Sequence, residues 1–213
     1  MHITNFPKIV FATSKVSDGN MSIYRGDINQ AIKNKEKFFH TLNIDPRNVV
    51  ELEQIHGKKI IKLDKVVTKI KEGDGLVTNK QGIYLMIKAA DCNQIAFFDV
   101  KNNAIALIHA GAKGLENGII KKTVVSLKKY FGSNPKDLII QFGPSIGPCC
   151  YRIDIWQEAK NQLIACGILE KNIDNPRICT YENKDYFSHR QAENEKLPED
   201  FRFATILGLK LKL

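Results

Sequence analysis

Between Val49 and Ile108 the chain carries five short runs rich in β-branched and aromatic residues: Val49 to Leu52, Lys59 to Leu63, Ile83 to Lys88, Ile95 to Val100 and Ala104 to Ile108. Gly, Asn and Asp separate them, so each reads as a strand bounded by turn formers. Lys8 to Thr13 and Asp137 to Phe142 read as further strands, and Ser17-Asp18-Gly19-Asn20 as a turn. Helical spacing of Ile28, Ile32, Phe39 and Leu42 predicts a first helix, opened by Gly26-Asp27 and stopped between Asn43 and Pro46. The stripe Ile119 or Ile120, Val124, Leu127, Phe131 predicts a second, ended by Gly132-Ser133-Asn134-Pro135. A third starts near Asp154, with Gln157 as its capping partner, and ends at Gly167. From Asn172 to Leu213 no pattern is clear. Strands clustered in the middle with helices at intervals predict an α+β fold, a single layered α/β domain with a mixed sheet spanning 1–213, not a regular βαβ array. A chain of 213 residues can bury a substantial core in one domain.

The 32 Lys and Arg exceed the 23 Asp and Glu, giving a net charge of +9 that attracts anions. The lysines are scattered in short groups such as Lys33, Lys35 and Lys37 or Lys121 and Lys122, the pattern of solvated faces. RNP-type motifs, zinc-finger spacings and a continuous basic arm are absent, so nucleic acid is not an expected partner. No apolar run is long enough to span a bilayer, and the first residues show no signal-peptide pattern, so a cytoplasmic protein is expected. Five cysteines, at 92, 149, 150, 166 and 179, form an odd set without disulfide-framework spacing, which fits a reducing compartment. Cys149, Cys150, Cys166 and Cys179 read as packing residues. The oligomeric state is left open.

Three segments place a metal-binding side chain at a strand end beside Gly or a small residue: Gln54-Ile55-His56-Gly57, Ala89-Ala90-Asp91-Cys92 and Ile108-His109-Ala110-Gly111. Two imidazoles and one thiolate are the donor set of an open zinc site, whose fourth position is left for water or substrate. The same side chains also suit a metal-free cysteine hydrolase, with Cys92 as nucleophile and His109 as base. Without a partner, Cys92 would be a small buried hydrophobe. Asp91 either orients a ligand and moves protons or bonds backbone at a strand end, and Asp74, in a Gly-flanked turn, reads as structural.

In chain order, Gln54-Ile55-His56-Gly57, Gly73-Asp74-Gly75-Leu76-Val77-Thr78, Ala90-Asp91-Cys92, His109-Ala110-Gly111-Ala112-Lys113-Gly114, Gly143-Pro144-Ser145-Ile146 and Phe187-Ser188-His189-Arg190 resemble the motifs of the YfiH/laccase-domain family. The resemblance runs from about Phe11 to the C-terminus. It implies a CNF1/YfiH-like fold with zinc on His56, Cys92 and His109. The implied chemistry is phosphorolysis of adenosine, inosine, guanosine or methylthioadenosine, with adenosine deamination as a second activity. Purine nucleosides and phosphate are then the small-molecule partners. Within this reading Gln54 contacts substrate, while Lys113, at a Gly-flanked helix start, and Arg190 contact phosphate.

Departures from the family pattern are local. Ala112 and Lys113 stand where the family usually has Trp-Arg, Asn93-Gln94 follow the cysteine, and Lys15 with Ser17-Asp18-Gly19 replaces a pattern with Arg and paired glycines. Exchanging forked guanidinium groups for point charges implies a looser hold on phosphate. Blue multicopper oxidase chemistry needs paired histidines for its trinuclear cluster. Five histidines, at 2, 40, 56, 109 and 189, without a His-x-His pair do not supply it. Copper remains a competitor for the His₂Cys donors, because Cu²⁺ outranks Zn²⁺ in intrinsic affinity, so weak copper-dependent polyphenol oxidation stays among the alternatives. So does a non-catalytic binding protein of the same fold.

Overall fold

A strand that is apolar on both faces needs a layer on each side. Along Ala104–Ala110, Ala104, Ala106 and Ile108 pack one way and Ile105 and Leu107 the other. The computed structural model describes residues 2–67, 71–197 and 200–211. It meets the requirement with two mixed sheets lying face to face and helices outside each. The strands are β1 (Ile9–Thr13), β2 (Val49–Glu53), β3 (Ile60–Lys62), β4 (Lys71–Glu72), β5 (Gly75–Thr78), β6 (Tyr84–Ala89), β7 (Asn93–Asp99), β8 (Ala104–Ala110), β9 (Leu138–Phe142), β10 (Ile173–Asp174) and β11 (Phe203–Leu209). The helices are α1 (Ile28–Thr41), α2 (Ala112–Glu116), α3 (Ile119–Phe131), α4 (Ile155–Ala165) and α5 (His189–Asn194), with short 3₁₀ turns between elements.

The first sheet runs β1-β11-β6-β2-β4, antiparallel across β1, β11 and β6 and parallel across β6, β2 and β4. The second runs β10-β9-β7-β8-β5-β3, antiparallel over its four central strands and parallel at both ends. Leu85, Ile87 and Leu207 of the first sheet meet Phe98, Ile105 and Leu107 of the second. Outside the first sheet, Met86 and Ile206 pack with Phe38 and Phe39 of α1. Outside the second, Phe97, Ile108 and Ile140 pack with Ile120 and Leu127 of α3 and Leu163 of α4. Each fully buried large apolar side chain contributes about 1.5–3 kcal/mol, so these three interiors, not surface ion pairs, supply the stability.

The expected α+β, mixed-sheet layering is therefore present, with two sheets where one was read. The predicted capping of the third helix is half realised: Asp154 accepts from the Gln157 N–H at 2.9 Å, while the Gln157 side chain turns to Asn161. The predicted turn at Ser17 to Asn20 is instead led by a 3₁₀ helix, Val16–Asp18. The inner face of α1 also differs from the predicted stripe. Ile28 and Ile32 are exposed, and Ala31, Lys35, Phe38 and Phe39 face inward.

Lys35 is accommodated there by a charge cluster that ties α1 to the first sheet. Its ammonium donates to Glu51 of β2 at 2.6 Å, and Lys88 of β6 donates to the other oxygen of the same carboxylate. Burial works against the charge on Glu51, yet Lys88 and Lys35 outweigh it and hold the carboxyl below its usual range. At Lys88 burial exceeds what the shared carboxylate returns, and the ammonium is held below its usual value. The carboxylate is thus the group on which the cluster depends. We predict that Glu51→Gln, which leaves two ammonium groups facing each other, destabilises the protein by about 3 kcal/mol and lowers the urea midpoint at neutral pH. Because the folded pKa of Glu51 is depressed, its contribution is present above the ordinary carboxylate range and fades as pH falls below it. The difference between wild type and Glu51→Gln should narrow on acidification. A gap that stayed constant to acid pH would contradict this account.

Candidate functional site

The chain passes from β6 in the first sheet to β7 in the second through Ala90, Asp91 and Cys92. Asp91 takes a left-handed backbone, φ +85°, which is uncommon for a residue other than Gly. Its bonds hold it there: Thr180 Oγ1 donates to one carboxylate oxygen at 2.6 Å, the Arg190 N–H to the other at 2.7 Å, and the Ile146 N–H to its carbonyl at 2.8 Å. This pinned corner fixes Cys92. Gly111 lets the thiol come close, since a Cβ there would lie 2.5 Å from Cys92 Sγ.

His56 follows β2, also left-handed at φ +57°. Its N–H donates to Asp74 Oδ1 at 2.9 Å, and those of Gly57 and Ile55 donate to Oδ2 at 2.7 and 3.4 Å. Asp74, fully buried just before β5, also lies with Oδ1 3.0 Å from Nδ1 of His109 on β8. Burial disfavours its charge, but His109 and the N–H groups of Gly57 and His56 outweigh it and hold its carboxyl below the usual range. An ionised carboxylate only accepts, so His109 carries a hydrogen on Nδ1 and turns Nε2 away from Asp74.

The donor atoms of His56, Cys92 and His109 all lie within 4.8 Å of one another, and the two imidazole rings meet edge to face at 4.7 Å. Burial would raise the Cys92 thiol, yet the imidazoles of His109 and His56 outweigh it and bring it down to about 6. Burial would likewise lower His109, but Cys92 and Asp74 outweigh it and raise it to about 9. The sulfur is thus poised as a thiolate at neutral pH, the form that binds metals and attacks carbon.

The cluster opens into a cavity of about 730 Å³, within the usual size range for small-molecule sites. Tyr24, Lys88, Tyr151, Arg190 and Arg202 contribute to its walls, and the Arg190 guanidinium lies 5.6 Å from the centre of the Tyr151 ring. Gln54 lines it too, but both ends of its amide are engaged: Nε2 donates to the Lys88 carbonyl at 2.6 Å and Oε1 accepts the Lys88 N–H at 2.9 Å. It extends the pairing of β2 with β6 instead of presenting a free amide to the cavity. Lys113 is exposed on α2 and does not line the cavity.

Of the expected site residues, His56, Cys92, His109, Asp91, Gln54 and Arg190 come together and Lys113 does not. Asp74 joins them as the common anchor of both histidines, a role its Gly-flanked turn did not disclose. The other histidines stay out of the donor cluster: His2 bonds Asp174, His40 is exposed at the end of α1, and His189 lines the same cavity but is turned to Asp200. Cys166 ends α4 apart from both thiol groupings, but Cys149, Cys150 and Cys179 gather into a second cluster, and Cys149 is exposed, which does not fit a packing residue.

A family model described as multi-copper polyphenol oxidoreductase laccase matches residues 9–154 and 151–208. A purine nucleoside phosphorylase of Clostridium acetobutylicum is 28% identical over 197 residues, covering 81% of each chain. One from Borreliella burgdorferi is 34% identical over 162 residues, 74% of this chain and 68% of its own. The crystal structure of a Bacillus licheniformis hypothetical protein named YfiH superposes with a TM-score of 0.87 over 95% of this chain and 93% of that one, at 24% identity. Motifs, fold and the span of the match agree, and this chain belongs to the multi-copper polyphenol oxidoreductase laccase family.

Proposed function

We propose that the chain is a zinc-dependent purine nucleoside phosphorylase acting on adenosine, inosine, guanosine or methylthioadenosine, with adenosine deamination as a second activity of the same site. The observation that carries the reading is the convergence of His56, Cys92 and His109 within 4.8 Å at a cavity of about 730 Å³. The two purine nucleoside phosphorylases that the chain resembles supply the reaction class. The donors fit zinc: a thiolate and two imidazoles, one oriented by Asp74 through its Nδ1, would hold the ion as three protein ligands and leave a position open for water or substrate. When bound, zinc would supply Lewis acidity at the reacting centre. Copper competes for the same donors. Free thiols at all five cysteines fit a reducing cytoplasm.

In phosphorolysis a phosphate oxygen bonds to C1′ of the ribose as the C1′–N9 bond breaks, and the purine leaves with the electron pair and takes up a proton. Arg190 supplies a forked cation for the phosphate, braced over Tyr151. Tyr24 and Tyr151 offer ring faces to the purine. Asp91 acts as a positioning residue: its oxygens are engaged by Thr180 and the Arg190 backbone, so it sets where Cys92 and Arg190 stand. Asp74 does the same for His109 and the His56 loop. One further reading rests on the charge pair itself, because a Cys92 thiol near 6 beside His109 is also what a metal-free cysteine nucleophile uses.

Incubating the purified protein with adenosine, inosine and methylthioadenosine should release free base and ribose-1-phosphate only when phosphate is present. Adenosine should yield ammonia with or without it, and a panel without turnover would sink the reading. Cys92→Ser should lose one equivalent of zinc and the activity together, whereas a metal-free nucleophile would lose activity with metal content unchanged. Asp74→Asn should weaken zinc affinity by about 10- to 100-fold, since the partner that orients a metal-bound histidine carries that much. Unaltered affinity would remove Asp74 from its role. Arg190→Ala should slow phosphorolysis by roughly ten- to a hundredfold at subsaturating phosphate, the effect of losing a charge-assisted bond of about 1.5–3 kcal/mol. Deamination should change far less, and an equal fall in both rates would assign Arg190 to the nucleoside or the fold.

A further inference from the structure

Cys149 and Cys150 are adjacent and Cys179 lies 30 residues after Cys149, yet the three sulfurs all lie within 4.8 Å of one another, in a group separate from His56, Cys92 and His109. Cys149 Sγ is 3.0 Å from Cys150 Sγ and 3.5 Å from Cys179 Sγ. The arrangement is built by backbone. A parallel bridge between Ser145 and Cys179 lays the loop after β9 along the segment 178–180, through Ser145 N–H to the Ile178 carbonyl at 3.1 Å and Thr180 N–H to the Ser145 carbonyl at 3.2 Å. The N–H groups of Cys150 and Tyr151 then both close on the Gly147 carbonyl at 3.1 Å, which turns the vicinal pair toward Cys179. Cys179 is buried, and the Gly147 N–H donates to its sulfur at 3.3 Å, with the N–H groups of Tyr181 and Glu182 also directed at it. Such donors favour a thiolate there. Cys150 is half-buried and Cys149 exposed, so the group has a solvent entrance.

We propose that Cys149, Cys150 and Cys179 form a second metal site that binds one Cu(I) ion in trigonal, all-sulfur coordination. Metal–sulfur bonds of about 2.3 Å require sulfurs roughly 3.8–4 Å apart, a small relaxation from the contacts present. Thiolates select soft ions, and three of them complete a trigonal Cu(I) shell. A structural zinc site closes with four protein donors, and among the described residues no fourth His, Cys, Asp or Glu joins this group. The site is independent of the zinc reading, since no residue is shared. It adjoins the cavity all the same: Cys150 precedes Tyr151, and Cys179 precedes Thr180, which holds Asp91.

The test uses full-length, fully reduced protein without oxygen, in a Cys92→Ser background that removes a donor from the first site. Cu(I) is titrated against a chromophoric Cu(I) chelator. Cys92→Ser should withhold one equivalent of Cu(I) per chain, and adding Cys149→Ser and Cys179→Ser should abolish that equivalent, while adding Cys166→Ser should leave it in place. X-ray absorption on copper-loaded Cys92→Ser should show a shell of three sulfurs and no nitrogen, a readout that needs no cluster variant to fold. No withheld copper, copper withheld equally after loss of Cys149 and Cys179, or a shell containing imidazole nitrogen would each overturn the proposal. So would Zn(II) displacing Cu(I) from the same background.

Discussion

One buried carboxylate organises the site. Asp74 accepts N–H groups from Ile55, His56 and Gly57, and its Oδ1 also takes the Nδ1 hydrogen of His109. Its own carbonyl accepts the His109 N–H at 2.7 Å. The loop after β2, the start of β5 and the end of β8 are thereby set by a single residue with no exposure to solvent. A neutral side chain could not accept all these bonds at once, and an unpaired carboxylate could not be buried there. The left-handed backbone of His56 is sustained by the same anion: without those N–H bonds the loop would relax toward ordinary dihedrals and swing the imidazole away.

The fold gives that anchor its reach. Strands apolar on both faces make the two sheets inseparable, and three interiors, one between the sheets and one outside each, leave the strand ends as the places where polar side chains can gather. The family is named for multiple coppers, but a trinuclear cluster needs more imidazoles in one place than the two that this chain groups with Cys92. His2 bonds Asp174 and His40 ends α1, while His189 lines the cavity but is engaged by Asp200 outside the donor cluster, and two histidines and a thiol can serve one ion. Ala112 and Lys113, which replace the family Trp-Arg, fall at the start of a five-residue helix. Ala112 lines the cavity and Lys113 does not, and the guanidinium groups of its wall belong to Arg25, Arg190 and Arg202.

What could be read in the residues was whatever depends on neighbours in sequence. The strand runs from Val49 to Ile108, the α3 stripe with its Gly132 stop and the Asp154 cap all appear close to where they were expected. The side chains of His56, Cys92 and His109 were legible because each lies at or near a strand end beside a small residue. The rest depends on distant partners. Phe203–Leu209 is an apolar run that could belong to a buried helix or a strand, and only pairing with β1, nearly two hundred residues earlier, makes it central to a sheet. Helical spacing placed Ile28 and Ile32 inside α1, but Glu51 lets Lys35 take the inner face, and no local pattern announces an ion pair across layers. The joint grip of Asp74 on two histidines, and the meeting of Cys149 and Cys150 with Cys179, are long-range juxtapositions of the same kind.

The three donors of the first cluster do not share a sheet. His56 trails a strand of one, His109 ends a strand of the other, and Cys92 sits on the corner between them. An ion held by all three is consequently a rivet through the sandwich. Sliding of one sheet over its neighbour, which apolar packing alone resists only softly, would have to stretch a coordination shell whose bond lengths tolerate about 0.2 Å. Occupancy and mechanical registry would become two readings of one equilibrium. Free metal concentration would then set how firmly the sheets are locked in register, far beyond the few residues that touch the ion.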